Sequence, residues 1–183
     1  EAGASGMEHL GWLLERLGFP LRVVAADDVD GEIRDVAARL SGPARTARKA
    51  RPAHYLLAPG LDRIGTADAP DETGGTTADA LRTLLTVGPV RHTHLLAWWS
   101  SIGVFRSHLG FASAVEVDAM LLLRAAQRDV TDLLGPLVTW QPRDNRGLLH
   151  DRQDLPEPIT VIPMAPIDGA TARALLRVDW AGA

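Results

Sequence analysis

Few side chains in this sequence have the type and spacing to do chemistry. His92 and His94 stand at i, i+2, so on a strand they would share one side at a spacing suited to a metal-ligand pair. No third histidine or acid follows at a supporting spacing, and imidazoles satisfied at the entry to a strand are the simpler reading. Ser100, His108 and Asp118 supply the residue types of a hydrolytic triad, but no Gly-x-Ser-x-Gly elbow surrounds the serine. Ser100-Ser101 ahead of Ile102 reads instead as a helix N-cap. Trp98, Trp99 and Trp140 offer faces on which bases could stack. On a strand Trp98 and Trp99 project to opposite sides, so at most one joins such a platform and core packing claims at least one. Arg143, Arg146 and Arg152 are interleaved with Asp144, Asp151 and Asp154, a mixed-sign set that suits surface ion pairing.

These residues must be positioned by alternating helices and strands. Leu10, Leu13, Leu14 and Leu17 repeat at helical spacing, and Gly18 followed by Pro20 stops the run, which predicts a helix over 7–17. Leu21 to Ala25 reads as a short buried strand. Val29, Ile33, Val36, Ala37 and Leu40 trace a second helical stripe that ends at Gly42-Pro43. A strand is expected at His54–Ala58, and a helix capped by Thr76 or Thr77 carries Leu81, Leu84 and Leu85 to the stop at Gly88-Pro89. A strand at Thr93–Trp98, a helix through Ile102, Phe105 and Leu109, a strand at Asp118–Leu123 and a helix through Val130, Leu133 and Leu134 continue the rhythm. Late strands are expected near Arg146–His150 and Ile159–Pro163. Such alternation predicts an α/β fold with one mainly parallel sheet over 21–163, helices on both faces, and the strands at 54–58 and 93–98 near its centre. Ligands of such sheets gather at the strands' carboxyl ends. Two long loops are candidates to border that edge: Gly42–Ala53, with Arg45, Arg48, Lys49 and Arg51, and Gly65–Thr76, with Asp68, Asp71 and Glu72.

Composition narrows the classes. A chain of 183 residues, 46% hydrophobic and 23% charged, suits one globular domain, and no internal repeat or domain boundary is visible. A formal charge of −4 gives no whole-surface field to hold a polyanion, so any nucleic-acid contact must be local. The absence of cysteine removes disulfides, thiolate metal sites and cysteine nucleophiles. No membrane-length apolar run and no signal-peptide pattern occurs, which leads to the expectation of a cytoplasmic location. Lys49, the only lysine among 19 basic residues, lies in Arg-Lys-Ala-Arg without a glycine loop, so the phosphate-cradling Gly-x-x-x-x-Gly-Lys-Ser/Thr is missing from this chain.

The stretch LRTLLTVGPVRHTHLLAWW, residues 81–99, resembles the segment after Walker B in FtsK/SpoIIIE-type (HerA/FtsK-like) P-loop ATPases of the actinobacterial kind. There a helix ends in a Gly-Pro turn and a His-containing strand follows. LLGPLVTWQPRDNRGLLHDRQDLPEPITVIPM, residues 133–164, is similar to that family's closing strands. The resemblance is best over 54–164 and implies a RecA-like P-loop NTPase-type sheet, with 1–183 forming a single partial domain, its C-terminal portion without Walker A. Working members hydrolyse ATP with Mg as rings that pull DNA, but fold does not transmit activity, so each motif is checked in place.

Aligned on Arg63, the two acidic Walker B positions fall on Pro59 and Gly60, neither of which can ligate metal or take a proton; Asp62 is the nearby carboxylate that a two-residue shift would bring in. The sensor-equivalent positions are Trp98 and Trp99, whose indoles donate one hydrogen bond but do not orient water as an amide does. Arg63, Arg91 and Arg146 are the candidates for inter-subunit or phosphate contacts, with ordinary solvation the competing reading for Arg91.

The resemblance therefore implies a catalytically degenerate structural or interaction module, with no cofactor for this chain alone. Its expected partners are the rest of the same ATPase domain or neighbouring modules, a second copy in a homo-oligomer, and DNA in the full assembly. Two alternatives stay open: an active ATP-driven DNA translocase whose Walker A lies upstream of Glu1, binding ATP and Mg, and an unrelated α/β small-molecule-binding domain.

Overall fold

A computed structural model describes residues 2–42, 52–64, 70, 74–109, 117–163 and 168–177. The candidate loop residues Arg45, Arg48, Lys49, Arg51, Asp68, Asp71 and Glu72 lie outside the described residues. The chain forms two compact units, 1–23 with 162–183, and 24–161.

In the smaller unit α1 (Ala2–Arg16) packs against α6 (Gly169–Leu175). Its end is the expected one: Gly18 takes a left-handed φ of 79°, the Phe19 N–H reaches the Leu14 carbonyl at 3.0 Å and the Gly18 N–H reaches Glu15 at 3.0 Å. This double closure satisfies carbonyls that a helix end leaves bare. The strand expected at Leu21–Ala25 does not form. The segment is irregular up to a 3-10 turn at Ala26–Asp28, and Val23 is 85% exposed, because among the described residues no neighbouring strand offers it a ladder.

The larger unit begins with α2 (Val29–Ser41), whose Ile33, Val36, Ala37 and Leu40 are buried as their spacing predicts. Strand β1 (His54–Ala58) pairs in parallel with β2 (Thr93–Ala97), in the register Leu56↔Leu95 and Ala58↔Ala97. The crossover is α3 (Thr77–Thr86), which packs on α2 and β2. Its start is fixed by a capping box: the Asp79 N–H donates to the Thr76 hydroxyl at 3.1 Å and the Asp79 carboxylate accepts from the Thr76 N–H at 3.4 Å. The Thr76 hydroxyl, donating to that carboxylate at 2.7 Å, holds Asp79 below the ordinary aspartate range. Thr77 is wholly buried and satisfied by α2, donating to Asp30 and accepting from Arg34 Nε at 3.0 Å. Leu56, Ala58, Leu95 and Ala97 turn one face of the pair onto a core built from α2, Leu61, Ala80, Leu81 and Leu84 of α3, and Phe105 and Leu109 of α4 (Ile102–Leu109). The Ser101 hydroxyl accepts from the Val104 N–H at 3.3 Å, the N-cap that the sequence suggests.

A separate sheet follows, in the order β3 (Ala119–Leu123), β4 (Gly147–Asp151), β5 (Ile159–Val161), and both of its pairings are antiparallel. The expectation of one mainly parallel sheet is thus met only by β1 and β2. The cause lies in the return path. After α5 (Gln127–Leu134) the non-helical run from Gly135 to Arg146 returns past Ala125 and Gln127, to which Trp140 is hydrogen-bonded, so Gly147 starts opposite Leu123, where β3 ended. The connection from Asp151 to Ile159 is too short for a parallel crossover. Leu122, Val130, Trp140 and Leu148 form the core here, and Met120 and Leu133 touch both this core and the first.

Gly88 joins α3 to the turn before β2 without room for a side chain, since a Cβ there would stand 2.1 Å from the Leu84 carbonyl oxygen and 2.6 Å from that of Thr93. Gly31, on α2, has nothing within 4 Å of its Cβ position. Gly88→Ala is therefore expected to destabilise the protein severely, whereas Gly31→Ala should stabilise it by about 0.5–1 kcal/mol through helix propensity. Urea unfolding of the two variants should give shifts of opposite sign.

Candidate functional site

The carboxyl ends of β1 and β2 bring together Pro59, Gly60, Asp62, Trp98 and Trp99. Past Ala58 the chain bends at Gly60, which takes a left-handed φ of 68°, into a 3-10 turn over Leu61–Arg63. The Leu61 N–H donates to the Trp98 carbonyl at 3.0 Å and the Trp98 N–H to Ala58 at 3.3 Å, tying the turn to β2. Leu61, 2% exposed, pins it to the core. Pro59 is exposed and Asp62 half-buried; the side chain of Arg63 lies outside the described residues. Gly60 carries no carboxylate, and its left-handed backbone is the conformation that glycine adopts most readily.

The two tryptophans diverge. Trp99 is half-buried, donates its indole N–H to His108 Nδ1 at 3.2 Å and meets Phe105 edge-on at 5.0 Å. His108 is 7% exposed and that hydrogen bond occupies its Nδ1, while Ser100 and Asp118 are exposed. Trp98, 52% exposed, lies on the opposite face with Tyr55, Leu57 and Leu96. His94 stacks on Tyr55 with centroids 5.2 Å apart, and His92 is exposed at a left-handed φ of 57°. Among the described residues no group of three His, Cys, Asp or Glu could hold a metal.

Of the arginine candidates, Arg63 stands in the turn at this edge, whereas Arg91 and Arg146 do not join it. Arg91 sits at the opposite, amino end of β2, where its guanidinium donates to the Gly42 carbonyl at 3.2 Å and so ties the end of α2 to the turn before β2. Arg146 belongs to the second sheet, immediately before β4. Trp140, the third aromatic candidate, is 6% exposed and fixed by its indole N–H to the Ala125 carbonyl at 3.1 Å, so it packs rather than stacks bases. Arg124 carried no signal in the sequence. It ends β3 at a left-handed φ of 54° and, with Pro142, Arg143 and Asp144, lines an open groove of about 350 Å³.

No protein-family model matches this chain, and no curated protein and no solved structure matches it. No helix among the described residues is long and apolar enough to cross a membrane.

Replacing Trp99 by Phe keeps the ring contact with Phe105 but leaves the buried Nδ1 of His108 without its donor. The expected cost is about 1–3 kcal/mol. Trp98→Phe on the exposed face should stay within about 0.5 kcal/mol of the parent. Chemical denaturation of both variants measures the difference, and equal costs would remove the hydrogen bond from the account.

Proposed function

We propose that this chain is a docking module, the C-terminal part of an FtsK/SpoIIIE-like ATPase-type domain that has lost nucleotide chemistry and binds the remainder of that domain along the β1–β2 pair. The carrying observation is the open face of that pair. Tyr55 is 59% exposed, Leu57 39%, Leu96 51% and Trp98 52%, although parallel strands are ordinarily covered on both faces. Each of the two strands has one neighbour among the described residues, so backbone donors and acceptors line a free edge beside the apolar face. An added parallel strand satisfies the edge, and the helix that connects it covers the face. The element order through residues 54–99, strand, helix, Gly-Pro turn and His-containing strand, supports the resemblance on which the partner's identity rests.

Loss of nucleotide chemistry is supported by Pro59 and left-handed Gly60 at the acid positions and by Trp99 engaged with His108. Triphosphate affinity in P-loop proteins comes chiefly from the loop amides, its lysine and the Mg²⁺ held by its Ser/Thr, and this sequence has no such loop.

A thermal melt with millimolar Mg-ATP, run beside a phosphate-release assay, should show neither a shift nor turnover. A ligand at ~100 times its Kd would add about 2.7 kcal/mol, which a melt resolves easily. A rise abolished by Asp62→Ala, or turnover above background, would move the assignment to the active translocase. Docking is tested separately by light scattering. The parent chain should self-associate at high concentration through its uncovered surface, and Leu57→Asp with Leu96→Asp should render it monomeric; a well-behaved monomeric parent would sink the docking reading.

A further inference from the structure

The second sheet carries a feature that the docking reading does not use. Arg124, Pro142, Arg143 and Asp144 line an open groove of about 350 Å³ at the carboxyl end of β3. Arg146 adjoins it, preceding the Gly147 that pairs with Leu123, and Leu123 in turn precedes Arg124. All three arginines are exposed, and no ion pair among the described residues engages them. The surface ion pairing expected within the mixed set of arginines and aspartates is therefore not formed by Arg143 among the described residues. Arg124, in the groove lining, holds left-handed backbone at φ 54°, as does Asn145, which follows the lining residue Asp144, at φ 57°. For arginine this conformation is costly, and such strain persists where the surroundings over-determine it.

We propose that this groove binds the oxyanion of a phosphate group through Arg124 and Arg143, with Arg146 at its rim. Guanidinium is the side chain best matched to phosphate, because its planar fork donates two parallel hydrogen bonds while remaining charged. Among the described residues, gathering three such cations beside the Asp144 carboxylate leaves a local positive excess that a phosphate neutralises. The openness of the groove suits both a terminal phosphate and a phosphodiester passing across it. This inference is independent of the docking reading.

The test uses the full chain at low ionic strength with two probes, inorganic pyrophosphate followed by calorimetry and a fluorescein-labelled oligonucleotide followed by anisotropy. At least one should bind, and binding of the oligonucleotide alone assigns the phosphate to a nucleic-acid backbone, whereas pyrophosphate binding alone assigns it to a terminal group. Arg124→Gln with Arg143→Gln should weaken that binding about tenfold or more and, for the oligonucleotide, reduce the salt slope by about 2. Arg128→Gln, an exposed arginine on α5 outside the groove lining, removes one unit of charge elsewhere and should change affinity little. Asp144→Asn should strengthen binding, a readout that a purely structural role for the groove would not move. Failure of both probes to bind, or equal losses in the groove and Arg128 variants, would overturn the proposal. A thermal melt of each variant confirms that it is folded.

Discussion

The parallel pairing of β1 with β2 is the constraint on which the larger unit depends. A parallel ladder cannot be closed by a tight turn, so α3 must cross back over it and has to start and stop at fixed points. Its start is fixed twice, by the reciprocal bonds between Thr76 and Asp79 and by Thr77, which is buried against Asp30 and Arg34 of α2. Its end is fixed by Gly88, where two carbonyl oxygens close in too tightly for any Cβ. Between these points Leu81 and Leu84 are almost completely buried, each contributing about 1.5–3 kcal/mol of transfer free energy. Helix α2 thus enters the core together with the cap of α3, and the parallel pair gains the cover for its inner face.

The same arrangement leaves the outer face bare, with a consequence for function. Tyr55, Leu57, Leu96 and Trp98 are contiguous across two paired strands rather than scattered singly, and scattered apolar residues are the kind that need no explanation. The antiparallel sheet repeats the pattern more weakly: Leu121 and Leu123 are about half exposed and fold over Gly147, whose missing Cβ makes room for them. Each sheet therefore has one face against its core and one apolar face toward solvent. Exposure of those outer side chains to water adds nothing to the stability of the fold.

What was legible in the sequence was local. Gly18, Thr76, Gly88 and Ser101 mark helix ends through backbone chemistry that acts within a few residues, and each marks the end it signals. The apolar runs HYLLA and THLLA announce strands buried on both sides, but a run alone cannot say that one of those sides will be open. The sense of β4 was not legible because it depends on where the twelve-residue path from Gly135 to Arg146 delivers the chain, and that path is fixed by Gln127 and Trp140. The Gln127 amide donates to the Val138 carbonyl at 2.8 Å, and its oxygen accepts from the Trp140 N–H. At the site, Pro59, Gly60, Asp62 and the two tryptophans do come together, since they follow two strands that pair in register. Arg91 and Arg146 do not, because proximity in an aligned motif does not state which end of a strand, or which sheet, a residue will occupy. Arg124 had no signal at all, as nothing in its neighbours announces a left-handed arginine.

Charge makes the same distinction between whole and local. With a formal charge of −4 the chain does not attract an anion at long range, and at physiological ionic strength screening reduces fields from surface charges beyond about 8 Å in any case. Recognition of an anion is then decided by the guanidiniums within that distance rather than by the total. Arg34, Arg82 and Arg106 are committed to carboxylates at 3.0–3.3 Å, and Arg91 to a carbonyl, so these cations serve packing. Arg124 and Arg143 face a shared groove in which Asp144 is the one lining carboxylate among the described residues. An acidic protein can therefore present a basic site, provided the site is compact.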